Sequence, residues 1–393
     1  MLEKLRPRFD EIYGEGGEIR SFFAPGRVNL LGDHTDYNGG RVFPCALEWG
    51  TYGLIRPRWD RTVRVASLDA ADARVEEFSL DGISREAVSA LGESWARYPM
   101  AVIGAMAENG YALPSGFDAL YGGDLPIGAG LSSSSSLCVL TALMLKTVFG
   151  FADIDGPDTS LMARKAENDF IGVASGIMDP FASAMGMKDH GIFLASQRLR
   201  YEYVPLHLGS AKIVLTDSLV RQKAGLSAFD KRHEECAKAL KKLKVVSNIT
   251  YLCDMNVDTF NNCKDVIMNE DYTKRAKHAV TENARAIRGV SALRVGNLKR
   301  FGELMNQSHV SLRDDYVVSC PELDCLAETA WNTPGVIGSR MTGAGLGGCT
   351  VSIIEEDAIG EYEARATAAF QEKFGKEPQF YVVSAGDGAR ELI

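Results

Sequence analysis

Residues 26–40 read GRVNLLGDHTDYNGG and place one arginine, one histidine and two aspartates on a glycine-bounded turn. Such a cluster could hold a metal, cradle an anion or meet sugar hydroxyls, each of which donates and accepts at once; a solvated loop would have the same composition. Zinc would need further spaced ligands, which His34 and Asp36 lack. A second stretch, PIGAGLSSSSS at 126–136, combines glycines that admit a ligand close to the backbone with serines that open a helix. The unpaired N–H groups and positive dipole end of such a helix attract phosphate, although a serine-rich helix cap would read the same way. No lysine follows these glycines, so the loop is not GxxxxGK[ST], and neutralising charge must come from the helix end, a metal ion or a cation elsewhere. TGAGLGGC, at 342–349, is alone no more than a tight turn between helix and strand. Two phosphate-competent glycine stretches without a Rossmann pattern together favour a nucleoside triphosphate gripped between two lobes. In SGIMDP, at 175–180, Asp179 precedes a proline, which biases it away from helix and predicts a carboxylate at a chain break. A capping or turn residue is the ordinary use of that position; the chemical one is to accept a proton from a hydroxyl attacking phosphate.

The elements that must position these groups follow from length and periodicity. A chain of 393 residues predicts two domains sharing a cleft, and alternating helical and strand-like segments predict a mixed helix-and-sheet architecture. Residues 42–56 and 62–67 read as sheet broken at 57–60, and 137–150 as a buried helix beginning in the serine run. A further helix is expected over 161–173, a strand over 211–218, a long helix over 227–243, and a turn running into an apolar strand after residue 342. The domain divide is placed near residue 205, giving an N-terminal domain at 1–205 and a C-terminal domain at 206–393. The net charge of −9 argues against an extended nucleic-acid surface, and the basic run at 238–244 reads as a solvated helix face. The start lacks the apolar core of a signal peptide, and the apolar run at 137–145 is too short for a bilayer, so no membrane association and a cytoplasmic location are expected. Eight cysteines without a CxxC pair read as reduced, mostly buried thiols.

Taken together, these stretches resemble the GHMP kinase superfamily and, within it, the galactokinase family. GRVNLLGDHTDYNGG is similar to the galactokinase signature, PIGAGLSSSSS to the superfamily's phosphate loop and MTGAGLGGC to its third motif. The resemblance continues through ENDFIGVASGIMD, SAFDKRHEEC, HAVTENARA and FGELMNQSHVSLRDDYVVSCPELD, nearly the whole chain. It implies an α+β, two-lobed GHMP kinase fold with the active site between the N- and C-terminal domains, and an ATP-dependent, magnesium-requiring kinase that phosphorylates galactose at its anomeric hydroxyl. By position, it implies that Arg27 stabilises charge at the transferring phosphoryl group and that Asp179 is the base facing that hydroxyl. Ser134 and Glu167 would be magnesium ligands, hard oxygen donors of the kind that ion prefers. Gly128, Ala129, Gly130, Leu131, Ser132, Ser133 and Ser134 would wrap the phosphates of ATP, with Ser67 touching the nucleotide. Asp33, His34, Thr35 and Asp36, with Gly176 and Phe229, would form the sugar pocket. The implied partners are thus a small sugar and ATP, with a monomer favoured.

Four positions depart from the family pattern. GEHTDY becomes GDHTDY at Asp33, the tyrosine of the S-x-Y motif becomes Phe229, GIMDQ becomes GIMDP at Pro180, and the usual alanine after the loop's third serine is Ser135. The first two face the sugar, so a 1-kinase for a related sugar is an alternative to galactose. A sensor that binds sugar and ATP without turnover is another, and the retained Arg27, Asp179, Ser134 and Glu167 weigh against it.

Overall fold

The computed structural model describes residues 1–70, 74–126, 128–221 and 225–392, with the side chains of 225–228 excepted. Twelve strands are present among them: β1 (Arg20–Leu31), β2 (Arg41–Pro57), β3 (Thr62–Ser67), β4 (Glu76–Ser79), β5 (Phe117–Gly123), β6 (His190–Ala195), β7 (Arg200–Pro205), β8 (Ala211–Asp217), β9 (Val336–Met341), β10 (Cys349–Glu355), β11 (Gln379–Val383) and β12 (Arg390–Leu392). They form two sheets. The larger runs β12-β1-β2-β5-β3-β4 with a β6–β7 pair attached to β2, and the smaller runs β11-β8-β10-β9. Every pairing is antiparallel except β3 with β5, so the chain belongs with folds in which helices lie against mainly antiparallel sheets. The strands after residue 205 build the smaller sheet, apart from β12, which returns to pair with β1.

The predicted elements appear with instructive shifts. The helix entered from the serine run spans Ser133–Val148, and the one after β8 spans Gly225–Leu243. The helix expected over 161–173 begins earlier, at Gly156, because Asp155 caps it in a reciprocal capping box with Asp158 and Pro157 occupies its first turn. It then closes in a π-helical turn, Ala166–Ile171, that carries Glu167. Asp179 does not stand at a chain break. It lies in the first turn of the helix Met178–Met185, where Pro180 is tolerated because the first intrahelical donor is the Phe181 amide, bonded to the Ile177 carbonyl at 3.1 Å.

One apolar core lies beneath the larger sheet, where Phe22, Ile55, Val63 and Phe117 meet Met100, Val139 and Leu140. A second crosses between the halves: Val28, Leu30 and Phe43 pack with Val290, Phe301, Leu304, Val351 and Ile353. Helices from the C-terminal half thereby press directly on β1 and β2, the strands that flank the DHTD turn. The eight cysteines are unpaired, and six of them are buried. No helix of the described residues is long and apolar enough to cross a membrane.

Candidate active site

A β-bulge between Pro25 and Arg27 shifts the β1–β2 register, so that Arg27 pairs with Ala46. The Arg27 amide donates to the Leu131 carbonyl at 3.1 Å. Its guanidinium grips Asp179 at two points, Nε to Oδ1 at 2.8 Å and Nη2 to Oδ2 at 2.6 Å, while Nη1 donates to the Gly130 carbonyl at 2.7 Å. Ser132 donates its hydroxyl to Asp179 Oδ2. A carboxylate accepts about four hydrogen bonds; with three given to protein, Asp179 retains capacity for one more. Arg27, Gly128, Gly130, Leu131, Ser132, Ser133, Ser134 and Asp179 share a cleft of about 340 Å³ with the second glycine loop. Ser132, the N-cap of the following helix, holds a left-handed φ of 61°, a conformation that costs a residue with a side chain about 1–3 kcal/mol and concentrates at functional loops. Ala129 is buried against this loop.

Glu167 faces the same helix start. Its carboxylate is 4% exposed and receives the hydroxyls of Ser135, at 3.3 and 3.2 Å, and Ser175, at 3.1 Å. Burial pushes its carboxyl up, with hydrogen bonds from Ser134, Ser175 and Ser135 opposing that and the Asp179 charge adding to it. No ion pair to Glu167 is present among the described residues, which also contain no group of three or more His, Cys, Asp or Glu that could hold a metal. One buried carboxylate with neighbouring hydroxyls suits an ion whose other ligands are phosphate oxygens and water.

The DHTD turn spreads its four residues over different tasks. Asp36, half-buried, accepts from the Met178 amide at 3.2 Å and is pressed against Gly176, where a Cβ would lie 1.6 Å from Asp36 Oδ2. Asp36, Ser175 and Gly176 open on a cavity of about 600 Å³ that Tyr37, His233 and Tyr251 also line. His34 is buried with φ 62°; its Nδ1 pairs with Tyr37 Oη at 2.7 Å and its ring lies between Phe229 and Tyr316, at centroid distances of 5.8 and 4.8 Å. Burial first, then the positive fields of His278 and Arg340, lower its pKa to about 3, so the ring is neutral. In β1, just before this turn, Asn29 Oδ1 is buried without a hydrogen-bond partner among the described residues; the His34 ring is also held by the Ala344 backbone. Thr35 faces away from both cavities, its hydroxyl shared between the Gly32 and Arg41 carbonyls at 2.8 Å each. Asp33 is engaged within the protein: Oδ1 accepts from Asn29 Nδ2 at 2.8 Å and Oδ2 is paired with Arg340. Ser67 ends β3, buried, and accepts from the Asp69 amide at 3.2 Å, apart from the cleft residues.

Arg221 and Arg340 went unnoticed in the sequence. Arg221 lines the phosphate cleft and lies over Gly128, whose Cβ would come within 2.8 Å of its Cδ; it is bidentate to buried Asp217 at 2.7 Å. The missing lysine of the phosphate loop was the available signal that such a cation was required from elsewhere.

The family profile for the galactokinase galactose-binding signature matches residues 7–57, that for the GHMP kinase N-terminal domain 97–187, and that for the C-terminal domain 290–371. A galactokinase of Fusobacterium nucleatum is 46% identical over 393 residues, spanning 100% of both chains. The chain belongs to the galactokinase family. A Bacillus subtilis member is 44% identical over 392 residues, covering 100% of this chain and 99% of its own. The crystal structure of Lactococcus lactis galactokinase complexed with galactose superposes with a TM-score of 0.96 at 38% identity, covering 100% of each chain. A Methanococcus jannaschii mevalonate kinase, 19% identical with a TM-score of 0.63 over 95% of this chain and 99% of its own, shares the fold. The protein is a sugar kinase of the GHMP type, and the two-lobed architecture is that of its family.

Proposed function

We propose that the protein transfers the γ-phosphoryl group of ATP to the anomeric hydroxyl of galactose, giving α-galactose 1-phosphate. The observation that carries this reading is Asp179, held at two points by Arg27 and a third by Ser132, with one acceptor position left on the edge of the phosphate cleft. A hydroxyl placed there would be oriented by Asp179 and would pass its proton to it as the bond to phosphorus forms. Arg27, anchored by the Gly130 carbonyl, meets charge developing on the transferring group without reorganising. Asp36, with Ser175 beside it on the larger cavity, supplies polar contacts for the remaining hydroxyls. The amide end of the helix Ser133–Val148, together with Arg221, receives the nucleotide phosphates. Ser134 and Glu167 would hold magnesium, which when bound neutralises phosphate charge and orients the nucleotide. An ADP-release assay across a panel of aldoses tests this: galactose is expected to be turned over best, and some other sugar used ten times more efficiently would overturn the substrate while leaving the kinase.

A further inference from the structure

We propose that Arg340 is a positioning residue that couples the sugar half of the site to the nucleotide half, an inference that rests on the kinase reading above. Arg340 is 0% exposed and lies on β9, immediately before the second glycine loop. From there it reaches two residues of the sugar signature. Nη2 pairs with the Asp33 carboxylate, itself 1% exposed, and Nη1 donates to the Asn29 carbonyl at 3.2 Å. Asn29 is doubly tied to the same segment, because the Thr342 hydroxyl lies 3.0 Å from its amide nitrogen and 3.1 Å from its carbonyl oxygen. The turn on the other side of Asp33 is held from the helix Glu270–Arg294: Glu282 accepts from the Gly32 amide at 2.8 Å and His278 Nε2 meets the Asp33 carbonyl at 3.1 Å.

The second glycine loop, in turn, lies on the phosphate loop. A Cβ on Gly348 would stand 2.9 Å from the Ala129 carbonyl oxygen, and one on Gly343 would stand 3.0 Å from that of Gly130. That Gly130 carbonyl is the acceptor for Arg27, which grips Asp179. Asp33, Arg340, the second glycine loop, Gly130 and Arg27 therefore make one contiguous set of contacts. A buried guanidinium ion-paired, among the described residues, with the Asp33 carboxylate holds that carboxylate in place, because separating them would leave two charges without their direct partner in a dry interior. Ordering of the DHTD turn by sugar is transmitted to the loop that shapes the phosphate cleft, and nucleotide binding acts back through the same pair. Asp33 thus serves the reaction through Arg340.

Coupling between two ligands is reciprocal and measurable, and contiguity alone does not establish it. Calorimetric titration of galactose with and without a non-hydrolysable ATP analogue and magnesium gives the factor directly. In the unmodified protein each ligand is expected to tighten the other on the order of 10-fold, the usual range for linked sites. Arg340→Met is expected to bring that factor to within about 2-fold of one, and Arg340→Lys to restore part of it through the retained charge. A merely structural role would lower thermal stability and leave the factor unchanged, and that result in a folded variant overturns the proposal. Should Arg340→Met fail to fold, Asp33→Asn, which keeps size and an acceptor oxygen but removes the charge, carries the same expectation. A protein that phosphorylates galactose yet binds the two ligands independently would refute the coupling and leave the kinase reading standing.

Discussion

Burial, with the neighbouring Asp179 charge adding to it, raises the Asp36 carboxyl from 3.8 to about 6, and the Met178 amide only partly opposes this. The folded value lies above the unfolded one, so the sugar-free protein holds this proton more tightly than the unfolded chain. The stability it contributes is complete below pH 3.8 and is lost as pH rises through about 6. Sugar hydroxyls that donate to Asp36 need the carboxylate form, so galactose affinity should rise with pH over the same window. Expected is a dissociation constant up to ~10-fold weaker at pH 5 than at pH 7, scaling with the competent fraction, and a flat profile in Asp36→Asn. A wild-type profile already flat would refute the link, and persistence of the slope in the variant would assign it to a group other than Asp36. Asp179→Asn should cut turnover at least ~100-fold with galactose still bound, which steady-state kinetics with a binding titration decides; near-normal turnover would remove Asp179 from the chemistry. Motif and spacing single out both aspartates in the sequence, and each lies on a cavity of the structure. The Asp33–Arg340 pair was not legible, since the two residues are 307 positions apart and nothing local announces it.

Elements were readable where their signals are local. Alternating β-branched residues marked β3 over its whole length, and the serine run marked the entry to the helix Ser133–Val148. The first turn of the helix Gly156–Lys165 was missed because a capping box of two aspartates starts it before its apolar stripe begins. The helical setting of Asp179 was missed because the rule for the residue before proline loses its force in a first turn, where no backbone donor is required. Gly176 belongs at this scale, since it joins the π-helical turn carrying Glu167 to the helix carrying Asp179 and lets Asp36 touch the backbone. Gly176→Ala would force Asp36 aside. Misplacing a contact by an ångström costs a reaction up to ~100-fold, so galactose KM should rise at least ~10-fold while ATP KM changes less than ~2-fold. Equal effects on both substrates would show instead that the loop acts as one unit, and thermal melting of the variant would reveal whether the fold itself had given way.

At the scale of the molecule, the phosphate cleft is made by two halves, and no reading confined to one stretch could find the cation that the serine-rich loop lacks. Arg221 follows β8 in the smaller sheet, and the core shared across the halves seats it over Gly128 in the loop between β5 and the helix Ser133–Val148. It already has a carboxylate, because Asp217, 0% exposed, takes both guanidinium arms. The pair is poised rather than spent: the Arg221 side chain is 41% exposed toward the cleft, and an arriving phosphate can share it. Arg221→Met removes that cation and leaves Asp217 a buried, uncompensated negative charge near the phosphates. ATP KM should rise by about 10-fold or more, with each ~1.4 kcal/mol of lost contact accounting for a factor of ten, while galactose affinity in the absence of nucleotide holds. The double variant Arg221→Met with Asp217→Asn separates the two contributions. If repulsion by Asp217 is the larger one, neutralising it recovers most of the ATP KM; if Arg221 meets phosphate directly, the defect remains and Arg221→Lys corrects it in part. An Arg221→Met protein with unchanged ATP KM would leave the phosphates to the helix end and the metal alone.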